Sequence, residues 1–171
     1  MANNAKNVKL GVCEVMYGGE DLGFTKGGVS VSVSTDTHEV KVDQRGDTPI
    51  NEFVKGRKCT VKVPLAETDM ETLMKIMPGA TPIKDDKGKL LRVDVPTSVG
   101  TSLLESAKPL ILHPINLPAS DKSEDFVVFL AGTAGALDFA YKEDDERVFN
   151  CEFKAYPNDK NLLFSIGQQP S

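Results

Sequence analysis

Two histidines, three cysteines and a run of four carboxylates are the residues of this chain that acid–base, nucleophilic or metal chemistry would draw on. Such chemistry needs those groups converging on rigid elements, within hydrogen-bond reach of one another. His38 opens a strand with a wet face and His113 precedes Pro114, and neither setting gathers the several donors that a metal site needs. Cys13, Cys59 and Cys151 are too far apart for CxxC spacing and too few for a disulfide framework, so all three are read as small buried apolar side chains. Glu143, Asp144, Asp145 and Glu146 are consecutive and lack the spaced ligands and central Gly of a calcium loop, which makes KEDDER a solvated turn. The tripeptide Arg45-Gly46-Asp47 matches a cell-adhesion motif, but three residues carry no specificity and the turn reading stands. GGEDLGFTKGG has no Walker lysine arrangement and no helix pattern after it, so it cradles no nucleotide phosphate. The expectation is a protein that is not an enzyme and that holds neither metal nor cofactor.

The composition bounds the remaining possibilities. A chain of 171 residues fits one domain, whose single core can bury roughly 70% of the surface exposed on unfolding. No apolar run reaches the roughly 20 residues of a membrane helix, and MANNAKNVK lacks the apolar stretch of a signal peptide, so a soluble protein made in the cytosol is expected. The formal net charge is −5 with Lys and Arg scattered singly, which argues against tight binding to nucleic acid, where affinity comes from clustered cations displacing phosphate counterions.

The elements that must position any site are strands. Residues 1–8 are polar and Asn-rich and read as an N-terminal arm, and residues 10–16 as a first strand ending at Gly18 and Gly19. The clearest signal is GGVSVSVSTDTHEVKVDQRG. Val29, Val31 and Val33 alternate with Ser30, Ser32 and Ser34, and Val40 and Val42 alternate with Glu39, Lys41 and Asp43. Period two on both sides of the polar residues 35–37 predicts an antiparallel hairpin turning there, valines toward a core and hydroxyls toward water. Residues 44–58, with Gly46, Pro49, Gly56 and mixed charges, read as a long inter-strand loop, a kind of segment that usually exists to bind. A strand over 59–65 follows. Thr68 and Glu71 have the spacing of a capping box, opening a helix with Met70, Leu73, Met74 and Met77 on its packed face and Pro78-Gly79 at its end. Beyond it, DDKGK reads as a hairpin tip before a strand at 90–95, and strand-type runs occupy 109–113, 126–130, 136–141, 147–155 and 162–166. With about eight to ten strands and one or two helices, the fold class is mainly β (α+β): an antiparallel β-sandwich or barrel with one flanking α-helix and a long β-hairpin excursion.

Four segments, GGVSVSVSTDTHEVKVDQRGDTPI, KCTVKVPLAETDMETLMKI, AKPLILHPINLP and FNCEFKAYPND, together resemble the major tail tube protein of long-tailed bacteriophages, a family with relatives in contractile injection machines. The likeness covers residues 9–160 and rests on the order and spacing of the segments. It implies a single tail-tube domain over 1–171, six-fold rings stacked into a tube, a place in the virion tail after assembly in the host cytoplasm, and a channel through which DNA passes without specific binding. It further implies tape measure, tail-tip or baseplate and terminator proteins as partners, and no membrane. Hairpin arms of neighbouring subunits would join into one inner barrel, with Ser30, Ser32, Ser34, Glu39, Lys41 and Asp43 facing the lumen. The loop after the hairpin would reach the adjoining ring, which assigns ring stacking to Gln44, Arg45, Asp47, Asn51, Glu52, Lys55, Arg57 and Lys58. The same self-assembly logic would serve a tail terminator or a capsid decoration protein, and a small-molecule-binding β-barrel is the reading from a different class.

Overall fold

Runs of β-branched and aromatic residues between Gly, Pro and Asx turns fold here as strands, several of which bury side chains in a common core. The computed structural model describes residues 8–9 and 11–168 and is 43% strand and 6% helix, so the mainly-β class expected from the sequence holds. Of the expected N-terminal arm, residues 1–7 lie outside the described residues. In chain order the elements are β1 (Cys13–Tyr17), β2 (Glu20–Asp21), β3 (Ser30–Val40), β4 (Asn51–Leu65), α1 (Met70–Ile76), β5 (Thr81–Lys84), β6 (Leu90–Asp94), β7 (Lys108–Pro114), β8 (Phe126–Thr133), β9 (Phe149–Tyr156) and β10 (Phe164–Ile166).

One antiparallel sheet runs β2-β1-β7-β8-β9-β4-β3, with β10 beside the first half of β8, and β5 and β6 form a separate hairpin. The stretch 22–26 bends the sheet round on itself. Leu22 N–H donates to Val15 O at 2.9 Å, Lys26 N–H to Pro64 O at 3.0 Å, and Ala66 N–H to Phe24 O at 2.8 Å. The chain therefore bridges from β1 to the C-terminal end of β4 and closes a small barrel there, while β3 stays at an open edge. Alternate residues fill its interior: Val15 and Tyr17, Val61, Val63 and Leu65, Leu110 and Leu112, Val128, and Phe149 and Phe153. Tyr17 lies 4.9 Å from Phe153, ring centre to ring centre, and its hydroxyl donates to Ala131 O at 3.1 Å, which satisfies the polar end of a buried ring.

Residues 35–37 are not a turn: β3 runs straight through them and pairs with β4 from Ser30↔Lys62 to Val40↔Asn51. Residues 44–58 are consequently not one long loop. The reversal occupies residues 41–50, including a 3-10 turn at Asp43–Arg45, and residues 51–58 belong to β4. The helix is capped by Asp69, whose carboxylate accepts from Thr72 N–H at 2.7 Å, whereas Thr68 is taken by Arg147, whose Nε donates to its hydroxyl at 3.0 Å. Its buried side chains are Thr72 and Ile76, and Met70 at the head of the expected methionine stripe is exposed. Residues 136–141 form no ladder. They are held by Phe139, which packs on Phe149 at 5.2 Å and lies under the Arg147 guanidinium at 5.5 Å.

Candidate functional site

β9 pairs with β4 only from Thr60 to Leu65, so residues 51–59 of β4 have β3 as their sole neighbour. The upper β3–β4 hairpin thus leaves the barrel as a two-stranded ribbon roughly 30 Å long at the usual strand rise. A ribbon of this kind is marginal in water on its own, because neither face is covered. Here both faces and the outer edge are open. Val31, Val33, Phe53 and Val54 are 40%, 45%, 58% and 58% exposed, and Ile50 beside the turn is exposed as well. The expected valine-to-core face is realised only at the base, where Val29 packs on the core.

The register assigns each candidate residue to a face. Ser30, Ser32 and Ser34 lie opposite Lys62, Thr60 and Lys58 and stay together in one exposed row. Val31 and Val33 lie opposite Val61 and Cys59 on the other face, which continues into the core. Between Asp36 and Thr37 the register slips past Lys55, a bulge next to Gly56 that turns Phe53 onto the serine side and Val54 onto the valine side. Because β3 does not turn at 35–37, Glu39 falls on the valine side. Lys41 and Asp43 lie beyond the end of β3, with Lys41 Nζ 3.6 Å from Glu39 and 3.9 Å from Asp47. The structure therefore keeps the three serines in one row and gathers Glu39, Lys41 and Asp43 around the tip.

All eight residues read as the stacking loop are exposed. Gln44, Arg45 and Asp47 sit in the reversal, and Asn51, Glu52, Lys55, Arg57 and Lys58 line β4. Asn51 Oδ1 accepts from Glu52 N–H at 2.8 Å, Glu52 accepts the Thr37 hydroxyl proton, and Lys58 pairs with Asp36 at 2.9 Å. Among the described residues Arg45, Lys55 and Arg57 have no carboxylate partner. Sequence reasoning missed the strand character of 51–58 and the apolar load of Ile50, Phe53 and Val54. The residue of the run that suits a strand irregularity is Gly56, which sits next to the bulged Lys55.

Of the groups weighed for catalysis or metal binding, His113, Asp145 and Glu146 make side-chain contacts within the fold. His113, whose surroundings looked bland in the sequence, is buried with Asp125: Nδ1 lies 2.5 Å from Asp125 Oδ1 and Nε2 3.4 Å from Leu117 O. Both ring nitrogens face acceptors within the fold. His38 is exposed on the ribbon opposite Phe53. In the acidic run, Asp145 and Glu146 both bind Lys26, which holds their carboxyls below the usual range and raises the lysine. The turn is thus a latch onto the 22–28 bridge.

Cys59 and Cys151 are buried and Cys13 partly so, and burial pushes the Cys151 thiol up to about 12. A thiol reacts as its thiolate. A maleimide at neutral pH is therefore expected to modify native Cys13 slowly and to leave Cys59 and Cys151 untouched until the protein unfolds, as read by intact mass. Rapid labelling of Cys151 in the folded chain would contradict this packing.

Among the described residues no helix is long and apolar enough to cross a membrane. The site that geometry singles out is the ribbon, an exposed two-stranded surface with an open edge. No family model matches the chain, and no curated protein matches it.

Proposed function

We propose that this chain is a structural subunit of a phage tail tube, assembling into stacked hexameric rings that form the channel for genome delivery. The observation that carries the reading is the uncovered ribbon. An eleven-residue edge strand with exposed valines is a template for pairing with another chain, and closure into a ring is the arrangement that leaves no edge open. The serine row supports a lumen assignment for Ser30, Ser32 and Ser34, which are exposed and carry no charge. Cations on the same face have acidic neighbours: Lys58 bonds Asp36, and Lys62 lies opposite Glu152 on β9. Such a wall attracts DNA only weakly, because few cations are free to displace counterions. Tape measure, tail-tip or baseplate and terminator proteins would meet such a tube, and its place would be the virion.

The small-molecule barrel has less support, since Leu22, Val63, Leu110 and Phe153 occupy the interior that a ligand would need. Negative-stain microscopy of the concentrated chain tests the proposal, with rings or hollow rods as the expected result. Charge reversal at Arg45 or Asp47 in the ribbon turn is expected to shorten the rods while circular dichroism and the unfolding midpoint stay unchanged. Full-length tubes from those variants would remove the turn from the stacking contact.

A further inference from the structure

A cleft of about 390 Å³ opens beside the far end of β4 from the ribbon tip. Its apolar wall is Val12, Phe24 and Ile115, which are 53%, 78% and 54% exposed. Its polar wall is Glu14, Asp21 and Glu67. Asp21 and Glu67 each accept one backbone N–H, from Gly23 and Phe24, and among the described residues none of the three carboxylates has a cationic partner. The nearest candidate, Lys75, reaches past the Asp21 carboxylate to its carbonyl oxygen at 3.2 Å and to Glu20 at 3.5 Å. A surface that is both apolar and anionic fits an occupant that is both apolar and cationic.

The ribbon tip of the same chain has that chemistry. Between residues 41 and 58 there are five cationic side chains against three carboxylates, in a protein whose net charge is −5. Phe53 and Val54 stand exposed on its two faces, next to Lys55 and Arg57, which have no carboxylate partner among the described residues. One copy cannot close this contact within itself. The cleft is fixed to the C-terminal end of β4 by the Thr25↔Leu65 bridge and the Ala66 to Phe24 bond, whereas the tip begins at Asn51. At the strand rise Arg57 and Phe53 lie roughly 26 Å and roughly 40 Å from Leu65 along β4. Complementary surfaces at opposite ends of a rod make a heterologous contact that propagates along the rod.

We propose that the cleft is the socket for the ribbon tip of a second copy. Phe53 and Val54 enter against Phe24, Val12 and Ile115, and Lys55 and Arg57 meet Glu14, Asp21 and Glu67. The inference rests on the self-assembly reading above and adds to it the surface that receives the tip. Charge pairs of this kind fix orientation and register, and the contact weakens as salt screens them.

Zero-length carbodiimide coupling of a concentrated mixture of isotopically light and heavy full-length chain, read by mass spectrometry, tests the pairing. Mixed-isotope links from Lys55 to Glu14, Asp21 or Glu67 are expected, and they diminish with added salt. Links from Lys55 to other carboxylates, or no intermolecular links at all, overturn the pairing. A charge-swap pair then tests its direction. Lys55→Glu with Arg57→Glu, and separately Glu14→Lys with Glu67→Lys, are each expected to weaken association on the order of tenfold or more, while an equimolar mixture of the two variants associates again. Failure of the mixture to recover, with both variants folded, overturns the proposal. Should Glu67→Lys disturb the Phe24 bond and unfold the chain, Phe24→Ser at an exposed position takes its place and is expected to weaken association alone. Unchanged association of a folded Phe24→Ser chain also overturns it. Hollow rods in which Lys55 links elsewhere would sink the socket and leave the tube reading standing. The expected links in solid filaments without a lumen would do the reverse.

Discussion

A chain carrying Val31→Lys and Val33→Lys is expected to fold as the parent does and to form no rings. Both valines lie on the edge strand of the ribbon and are already 40% and 45% exposed. A lysine's aliphatic stem can cover what each valine covers while its ammonium reaches water, so the monomer should lose about 1 kcal/mol per site. In an assembled wall the same positions would be covered by the neighbouring copy. A lysine there either buries an unpaired charge, at a cost of several kcal/mol, or holds the edges apart, which is how natural edge strands prevent pairing. Since about 1.4 kcal/mol is a factor of ten in an equilibrium constant, two such sites per contact should abolish assembly at any accessible concentration. Thermal unfolding and sedimentation velocity measured together read both halves of the expectation. Rings built by the folded double variant would show that this edge is not the joint.

The alternation of the VSVSVS run was legible in the sequence, but its partner was not. Register is set where one face is buried, because a slip of one residue then exposes the core. On the ribbon both faces are wet, so nothing in the pattern distinguished a turn at Thr35, Asp36 and Thr37 from a strand passing through them. The same absence of burial hid residues 51–58, whose Gly56 and mixed charges have loop composition although their backbone pairs with β3. Strands packed into the barrel were read more closely, since β9 and the middle of β7 bury alternate residues that leave a period-two trace and β8 is a continuous apolar run. The cap of α1 was displaced by one residue for a tertiary reason: Arg147 takes the Thr68 hydroxyl and carbonyl, leaving Asp69 to hold Thr72. The cleft at Glu14 and Glu67 had no sequence signal, because β1 and the end of β4 are brought together only by the bridge through Phe24.

Asp125→Leu is expected to destabilise the monomer by about 2 kcal/mol, the scale for leaving a buried imidazole without its hydrogen-bond partner. The two side chains are 4% and 5% exposed, and the aspartate precedes β8 just as the histidine stands near the end of β7. Their contact therefore closes residues 114–125, the connection between adjacent strands. It works beside the Gly167 N–H to Asp125 O bond at 2.9 Å, which ties in the chain after β10. Lys122, 3.7 Å from Asp125 and partly exposed, can turn to water when the carboxylate is lost, whereas the imidazole cannot. His113→Leu should cost a similar amount, leaving a buried carboxylate facing an apolar group. The double variant should cost less than the two singles added, with a coupling of about 1–3 kcal/mol, because apolar side chains replace both halves of the pair at once. Denaturant unfolding of the four chains measures this cycle. Additive effects would mean that the pair is not a unit. Full coupling identifies it as a strut under the β7–β8 connection, which lies beside Gly28 and Val29 at the base of β3, the strand that leads into the ribbon.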